Sequence, residues 1–267
     1  MTVEIPVVIK PLLYEYEWKL KENFKDKIFG IYLYNSIAIN AFDENKSDID
    51  IVIIIKEDFT KDEVVELKNI HRELNKNFSY SKKMEGMYIK LKDISKTNDL
   101  LEPYIYFENG RLHKPGYYDI NYVTWWTLKH NGIGINSPRV NDLNIKVDWE
   151  DILNTMNYNL NFYWKSKLNK KSIFILDYWI EFSVLTLCRI VNTLEYKEIN
   201  SKLASANMAL TSMNKEFNKI ILEAIRIREG KGEKSLYRSR IKRSNDVQRF
   251  IDSTIDYCNT KYNLENL

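Results

Sequence analysis

A chain of 267 residues, 44% hydrophobic and 13% aromatic, is long enough for one large or two ordinary domains and apolar enough for real cores, which excludes a disordered polypeptide. No apolar stretch reaches the roughly 20 residues that span a bilayer, and MTVEIPVVIK does not read as a signal peptide, so a cytoplasmic protein is expected. Two distant cysteines, Cys188 and Cys258, form neither a disulfide framework nor a zinc site, and the net charge of +3 divides unevenly: 19 Lys and Arg against 13 Asp and Glu from Asp151 onward, 21 against 24 before it.

In chain order, Ile9, Leu12, Leu13, Tyr16 and Leu20 recur at helical spacing within residues 6–24, and Pro11 is tolerable only near that helix's start. Residues 28–55, IFGIYLYNSIAINAFDENKSDIDIVIII, hold two β-branched and aromatic runs flanking a polar loop, the pattern of two buried strands. A strand's period of two puts Asp48 and Asp50 on one face. Like charges that close resist joint ionisation unless a cation intervenes, so the pair reads either as a Mg²⁺ site or as a solvated strand end. Thr60 to Glu63 is a capping box, opening a helix with the stripe Val64, Leu67, Ile70, His71 and Leu74. Residues 84–91 read as a third strand in which Gly86 marks a bulge or a close approach. Taken alone, Glu85 is a carboxylate in a stretch that also holds Lys82, Lys83 and Lys90. Asn109-Gly110 signals a hairpin, and Asp119 is expected to cap a helix through Trp125 and Trp126 that stops at Gly132.

Residues 138–148 are polar and irregular, and a domain boundary is placed there, giving domains 1–147 and 148–267. The second is helical: one helix from Asp148 to about residue 168, then a largely apolar one over 173–194 at the core of a bundle. Asp177 and Glu181, four apart, share a face and form either an acidic patch or internal salt bridges, for instance to Arg189. Lys202 opens a further helix capped by Asn200 or Ser201, and Arg238, Arg240, Lys242 and Arg243 read as a solvated basic face.

Asn35-Ser36 after the first strand and Ser47-Asp48-Ile49-Asp50 at the second resemble the nucleotidyltransferase superfamily, and most nearly bacterial aminoglycoside nucleotidyltransferases of the streptomycin and spectinomycin adenylyltransferase type. That resemblance implies an α+β fold, with an N-terminal nucleotidyltransferase domain of mixed sheet flanked by helices and a C-terminal α-helical bundle that closes on substrate and nucleotide. It implies ATP and Mg²⁺, with Asp48 and Asp50 as metal ligands, Glu85 as general base, and Asn35, Ser36, Ser47, Lys202 and Arg228 around the nucleotide. Asp177, Glu181 and His113 are the implied substrate contacts, toward a cationic small molecule. The sequence departs from the family where Asn35 and Asn40 stand for glycines, although asparagine is the non-glycine residue that best tolerates positive φ.

The expected activity is therefore transfer of AMP from ATP to an antibiotic hydroxyl by a monomeric enzyme with no nucleic-acid or membrane partner. Two alternatives stay open: a nucleotide-binding module without turnover, or a nucleotidyltransferase with another acceptor such as a lincosamide, a protein hydroxyl or an RNA end.

Overall fold

The computed structural model describes residues 3–230, 232 and 234–266, and its contacts divide the chain into two units, Met1–Asp148 and Trp149–Leu267. In the first, strands β1 (Ile28–Leu33), β2 (Ile49–Ile55), β3 (Met84–Lys90), β4 (Tyr106–Glu108), β5 (Arg111–Leu112) and β6 (Ile133–Gly134) form one sheet in the order β5-β4-β3-β2-β1-β6. Only β2 and β3 are parallel, so the sheet is mixed.

Alternation along β2 explains why its sequence is almost continuously apolar. Ile49, Ile51, Ile53 and Ile55 enter one core together with helices α1 (Lys10–Phe24) and α3 (Lys61–Asn77). Val52 and Ile54 enter a second core with Trp125 and Leu128 of helix α4 (Tyr122–Asn131). Both faces are covered, and a strand buried on both sides needs apolar residues at every position. Asp50 has the parity of Val52 and Ile54, so it falls on the α4 face where the apolar covering ends.

Local signals in the sequence are met by specific contacts. The Thr60 hydroxyl accepts from the Glu63 amide at 3.3 Å while the Glu63 carboxylate accepts from the Thr60 amide at 2.7 Å, closing the capping box of α3. Asn109 and Gly110 take φ of 52° and 68°, as a two-residue hairpin turn requires. Gly86 marks a close approach: a Cβ there would lie 1.9 Å from the Ile51 carbonyl oxygen. His71 is buried with Leu67, Ile70 and Leu74 of its stripe, with Nε2 3.0 Å from the Tyr88 hydroxyl, and burial holds its pKa down at about 4. Asp119 does not cap α4; Asn121 does, its side-chain oxygen accepting from the Val123 amide at 2.9 Å.

In the second unit a helical path runs from α5 (Trp149–Asn157) through a π-helical stretch (Tyr158–Trp164) into α6 (Lys165–Lys167). Helix α7 (Asp177–Tyr196) is central and packs on α8 (Lys202–Ser212), α9 (Asn218–Glu229) and α10 (Arg240–Tyr262). It begins at Asp177, not at 173, because Leu176 is extended. Cys188 and Cys258 are buried free thiols inside this bundle. Arg243 is not part of a solvated face: it is 4% exposed, with Nη1 2.8 Å from the buried Glu223 and Nη2 donating to the Ile175 carbonyl oxygen at 3.0 Å. No helix among the described residues is long and apolar enough to cross a membrane.

Candidate active site

Six of the residues singled out in the sequence lie together where β2 and β3 begin. Asp50 and Glu85 are register partners across the parallel pair, so their side chains leave the sheet on the same face. Asp48 stands two positions before Asp50, exposed, just ahead of β2. The turn leaving β1 carries Asn35 and Ser36 in a one-turn helix, α2 (Asn35–Ala38), and the Tyr34 amide donates to the Asp50 carbonyl oxygen at 3.2 Å. Ser47 is buried and its hydroxyl accepts from the Asp43 amide at 3.0 Å, which closes the loop between the strands.

Asn35 and Asn40, where the family has glycines, both adopt left-handed backbone, with φ of 52° and 54°. The turn is therefore kept without glycine, and the Asn35 side chain also donates to Asp50. The Ser36 hydroxyl is buried without a hydrogen-bond partner. A buried hydroxyl left unsatisfied costs free energy unless a ligand completes it, so Ser36 marks a place where an acceptor oxygen fits.

Burial, and then the charge of Asp48, push the Asp50 carboxyl up to about 7; Asn35 opposes the rise, and Glu85 and Asp119 add to it. Burial likewise raises Glu85, against a hydrogen bond from Tyr118, with Asp48, Glu108 and Asp119 contributing. The sheet end thus concentrates negative charge that a hard cation would relieve. Among the described residues no group of three or more His, Cys, Asp and Glu side chains is arranged to hold a metal alone. Two carboxylates suit Mg²⁺ nonetheless, since that ion usually takes one or two carboxylates and completes its shell with substrate phosphates and water.

A pH dependence follows. Below about 7 Asp50 holds a proton, which a cation must displace, so cation affinity rises with pH by up to about tenfold per unit until Asp50 is ionised. Because an unfolded aspartate ionises near pH 4, the cation-free protein binds an extra proton between roughly 4 and 7 and loses stability as pH rises through that window. Calorimetry of Mg²⁺ with nucleotide near pH 6, in buffers of different ionisation heat, is expected to show a greater proton release for the unaltered protein than for Asp50→Asn. The same proton release from both proteins would contradict a cation role for Asp50.

His113 lies at the far end of a stack of rings that leads through Tyr118 to Glu85. It lies on Tyr106 with centroids 4.7 Å apart, and Tyr106 lies on Tyr118 at 5.2 Å. The Tyr118 hydroxyl donates to Glu85 at 2.6 Å. Sequence reasoning did not find Tyr118, and it read Asp119, whose charge acts on Asp50 and Glu85, only as a helix cap.

The remaining predicted residues belong to the helical unit. Asp177 opens α7 and pairs with Arg243 at 2.7 Å. Glu181, one turn on, pairs with Arg228 at 3.0 Å, so internal salt bridges do form there, with Arg243 and Arg228 as partners. Lys202, the first residue of α8, places its ammonium 5.6 Å from the centre of the Phe182 ring.

Residues 14–110 match the model of the nucleotidyltransferase domain, and residues 145–256 match that of the aminoglycoside adenylyltransferase C-terminal domain. Among solved structures, the chain is similar to the spectinomycin adenyltransferase AAD(9) from Enterococcus faecialis, determined with ATP and spectinomycin. The TM-score is 0.65 at 15% identity, over 92% of this chain and 98% of that one, a likeness that speaks for the fold. No curated protein matches the chain in sequence.

Proposed function

Because the chain belongs to the aminoglycoside nucleotidyltransferase family, as an adenylyltransferase, we propose that it transfers AMP from ATP to a hydroxyl of an aminoglycoside or aminocyclitol antibiotic of the streptomycin or spectinomycin type. The observation that carries the reading is the set Asp48, Asp50 and Glu85 at the start of two parallel strands, with the Ser36 hydroxyl unsatisfied on the adjoining turn.

Glu85 accepts the proton of the attacking hydroxyl as that oxygen bonds to the α-phosphorus, and the bond from phosphorus to pyrophosphate breaks in line. Asp48 and Asp50 would hold Mg²⁺, which when bound neutralises phosphate charge and polarises the oxygens around the reacting phosphorus. Ser36 and the turn at Asn35 meet the terminal phosphates, where neighbouring backbone amides suit an anion. The helical unit is assigned Lys202 and Arg228 for the triphosphate and Asp177 and Glu181 for the ammonium groups of the drug. Arg243 pairs with Asp177 and Arg228 with Glu181, so a polycationic substrate must compete with a guanidinium at each. Such a reaction would run in the cytoplasm, where ATP is available, and the added nucleotide would spoil the drug's fit to its ribosomal target and confer resistance.

The alternative of a nucleotide-binding module without turnover rests on Asn35 and Asn40, which stand where glycines are expected. Both asparagines adopt the backbone that glycine would supply, which supports an intact turn and favours the enzyme over that alternative.

The reading is tested by pyrophosphate release from Mg-ATP, measured with streptomycin and with spectinomycin separately. Release that requires one of the drugs and vanishes in Asp48→Asn is the expected result. ATP binding without release in either case would refute it for these acceptors.

A further inference from the structure

We propose that Tyr118 is a positioning residue for Glu85, holding one carboxylate oxygen through its phenol so that the other faces the attacking hydroxyl; the proposal rests on the adenylyl-transfer reading above. The Tyr118 hydroxyl donates to Glu85 Oε2 at 2.6 Å. The terminal torsion of a glutamate is broad and nearly two-fold, so a carboxylate at a site entrance has no fixed direction of its own. Tying down Oε2 fixes the plane of the group and assigns Oε1 as the oxygen that takes the proton.

Tyr118 is suited to this because it is itself held from several sides. Its amide donates to the Tyr104 hydroxyl at 2.8 Å, and its carbonyl oxygen accepts from the same hydroxyl at 3.0 Å and from the Asn98 side-chain amide at 2.7 Å. Tyr104 is anchored in turn by paired backbone hydrogen bonds with Gly116, each 3.0 Å. The Tyr118 ring stacks on Tyr106 at 5.2 Å and 12° between planes, and Tyr106 stacks on His113 at 4.7 Å and 2°. A loop residue that only filled space would need none of these contacts. Together they point the phenol at one oxygen of a strand residue 33 positions away. The hydrogen bond also favours the ionised carboxylate, the form a base must have, and opposes the upward pressure of burial.

The test is Tyr118→Phe, which keeps the ring and its stack and removes only the hydroxyl. Loss of a hydrogen bond to a charged group is expected to lower kcat about 10- to 100-fold, with KM for Mg-ATP changed by no more than about twofold. The deciding readout is the same substitution in a Glu85→Gln background, where a residue acting through Glu85 has nothing left to position and the further loss should stay within about twofold. Equal losses in both backgrounds would mean a general structural role and overturn the proposal, as would an unchanged kcat. Tyr104→Phe, which loosens the Tyr118 backbone without touching Glu85, provides a second variant, with a smaller loss that also disappears in the Glu85→Gln background. Unaltered protein that releases no pyrophosphate with any acceptor overturns the adenylyl-transfer reading and this proposal together. Normal turnover in the unaltered protein and in Tyr118→Phe overturns this proposal alone.

Discussion

Glu85→Gln should lower turnover by about 10²- to 10⁴-fold, the range for loss of a general base, while the affinity for Mg-ATP changes little. Glutamine keeps the size and hydrogen-bonding shape of the side chain, so Met84, Met87 and the rest of β3 keep their packing. What disappears is the charge assigned to accept the proton. Asp50→Asn should behave differently: the same near-isosteric change removes a carboxylate assigned to the metal, so both the binding of Mg-ATP and turnover fall. Parallel measurement of kcat and of nucleotide affinity separates the two. If Glu85→Gln weakened nucleotide binding as much as turnover, Glu85 would be a metal ligand and the base would have to be sought elsewhere, with Asp119 the first candidate because its charge acts on both Asp50 and Glu85.

Glu223→Ala is expected to have the largest effect on stability, about 3–5 kcal/mol, the usual result of breaking a buried ion pair from one side. The Glu223 side chain is fully buried and accepts from Arg226, from Arg243 at 2.8 Å, from the Ser235 hydroxyl at 2.6 Å and from the Leu236 amide at 2.9 Å. Burial acts to raise its pKa, but these donors outweigh it and hold the carboxyl at about 2. A glutamate depressed in the fold contributes fully above its ordinary pKa, and the contribution fades as pH falls through the folded value. Removing it leaves the Arg243 guanidinium 5% exposed without its buried counter-charge. In a unit of this size the melting temperature should drop by roughly 10–20 °C. Glu223→Leu combined with Arg243→Met should recover part of the loss, because well-packed apolar residues replace buried ion pairs at little cost. A loss below about 1 kcal/mol for Glu223→Ala, the level of an exposed pair, would contradict this account of the helical core.

The sequence was most informative where a local rule governs the outcome. Strand alternation puts Asp48 and Asp50 on one face, the family resemblance sets Glu85 beside them, where the register of β2 and β3 has it next to Asp50, and the positive-φ tolerance of asparagine anticipates the turn at Asn35 and Asn40. The capping box at Thr60 and the Asn109-Gly110 hairpin are equally local. Where two residues obey the same rule, the choice between them is tertiary. Asp119 and Asn121 are both good caps two positions apart, and Asn121 takes the role while the charge of Asp119 acts on the site. Contacts between distant positions leave no such trace. Tyr118 reaches Glu85 across 33 residues and Arg243 reaches Glu223 across 20, and nothing in either neighbourhood distinguishes these side chains from solvated ones. Arg243 reads as solvated in the sequence for that reason, since clustered charges usually face water. The same limit applies to Asp177 and Glu181, whose shared helix face was legible and whose partners, Arg243 and Arg228, come from other helices.

The central claim is that this chain joins AMP to an antibiotic hydroxyl, and mass spectrometry of the drug after incubation with Mg-ATP tests it most directly. The account predicts that streptomycin or spectinomycin gains the mass of one adenylate, and that Asp48→Asn and Glu85→Gln protein leave the drug unchanged over the same time. Drug recovered unmodified from the unaltered protein, under conditions where ATP binds, would contradict it.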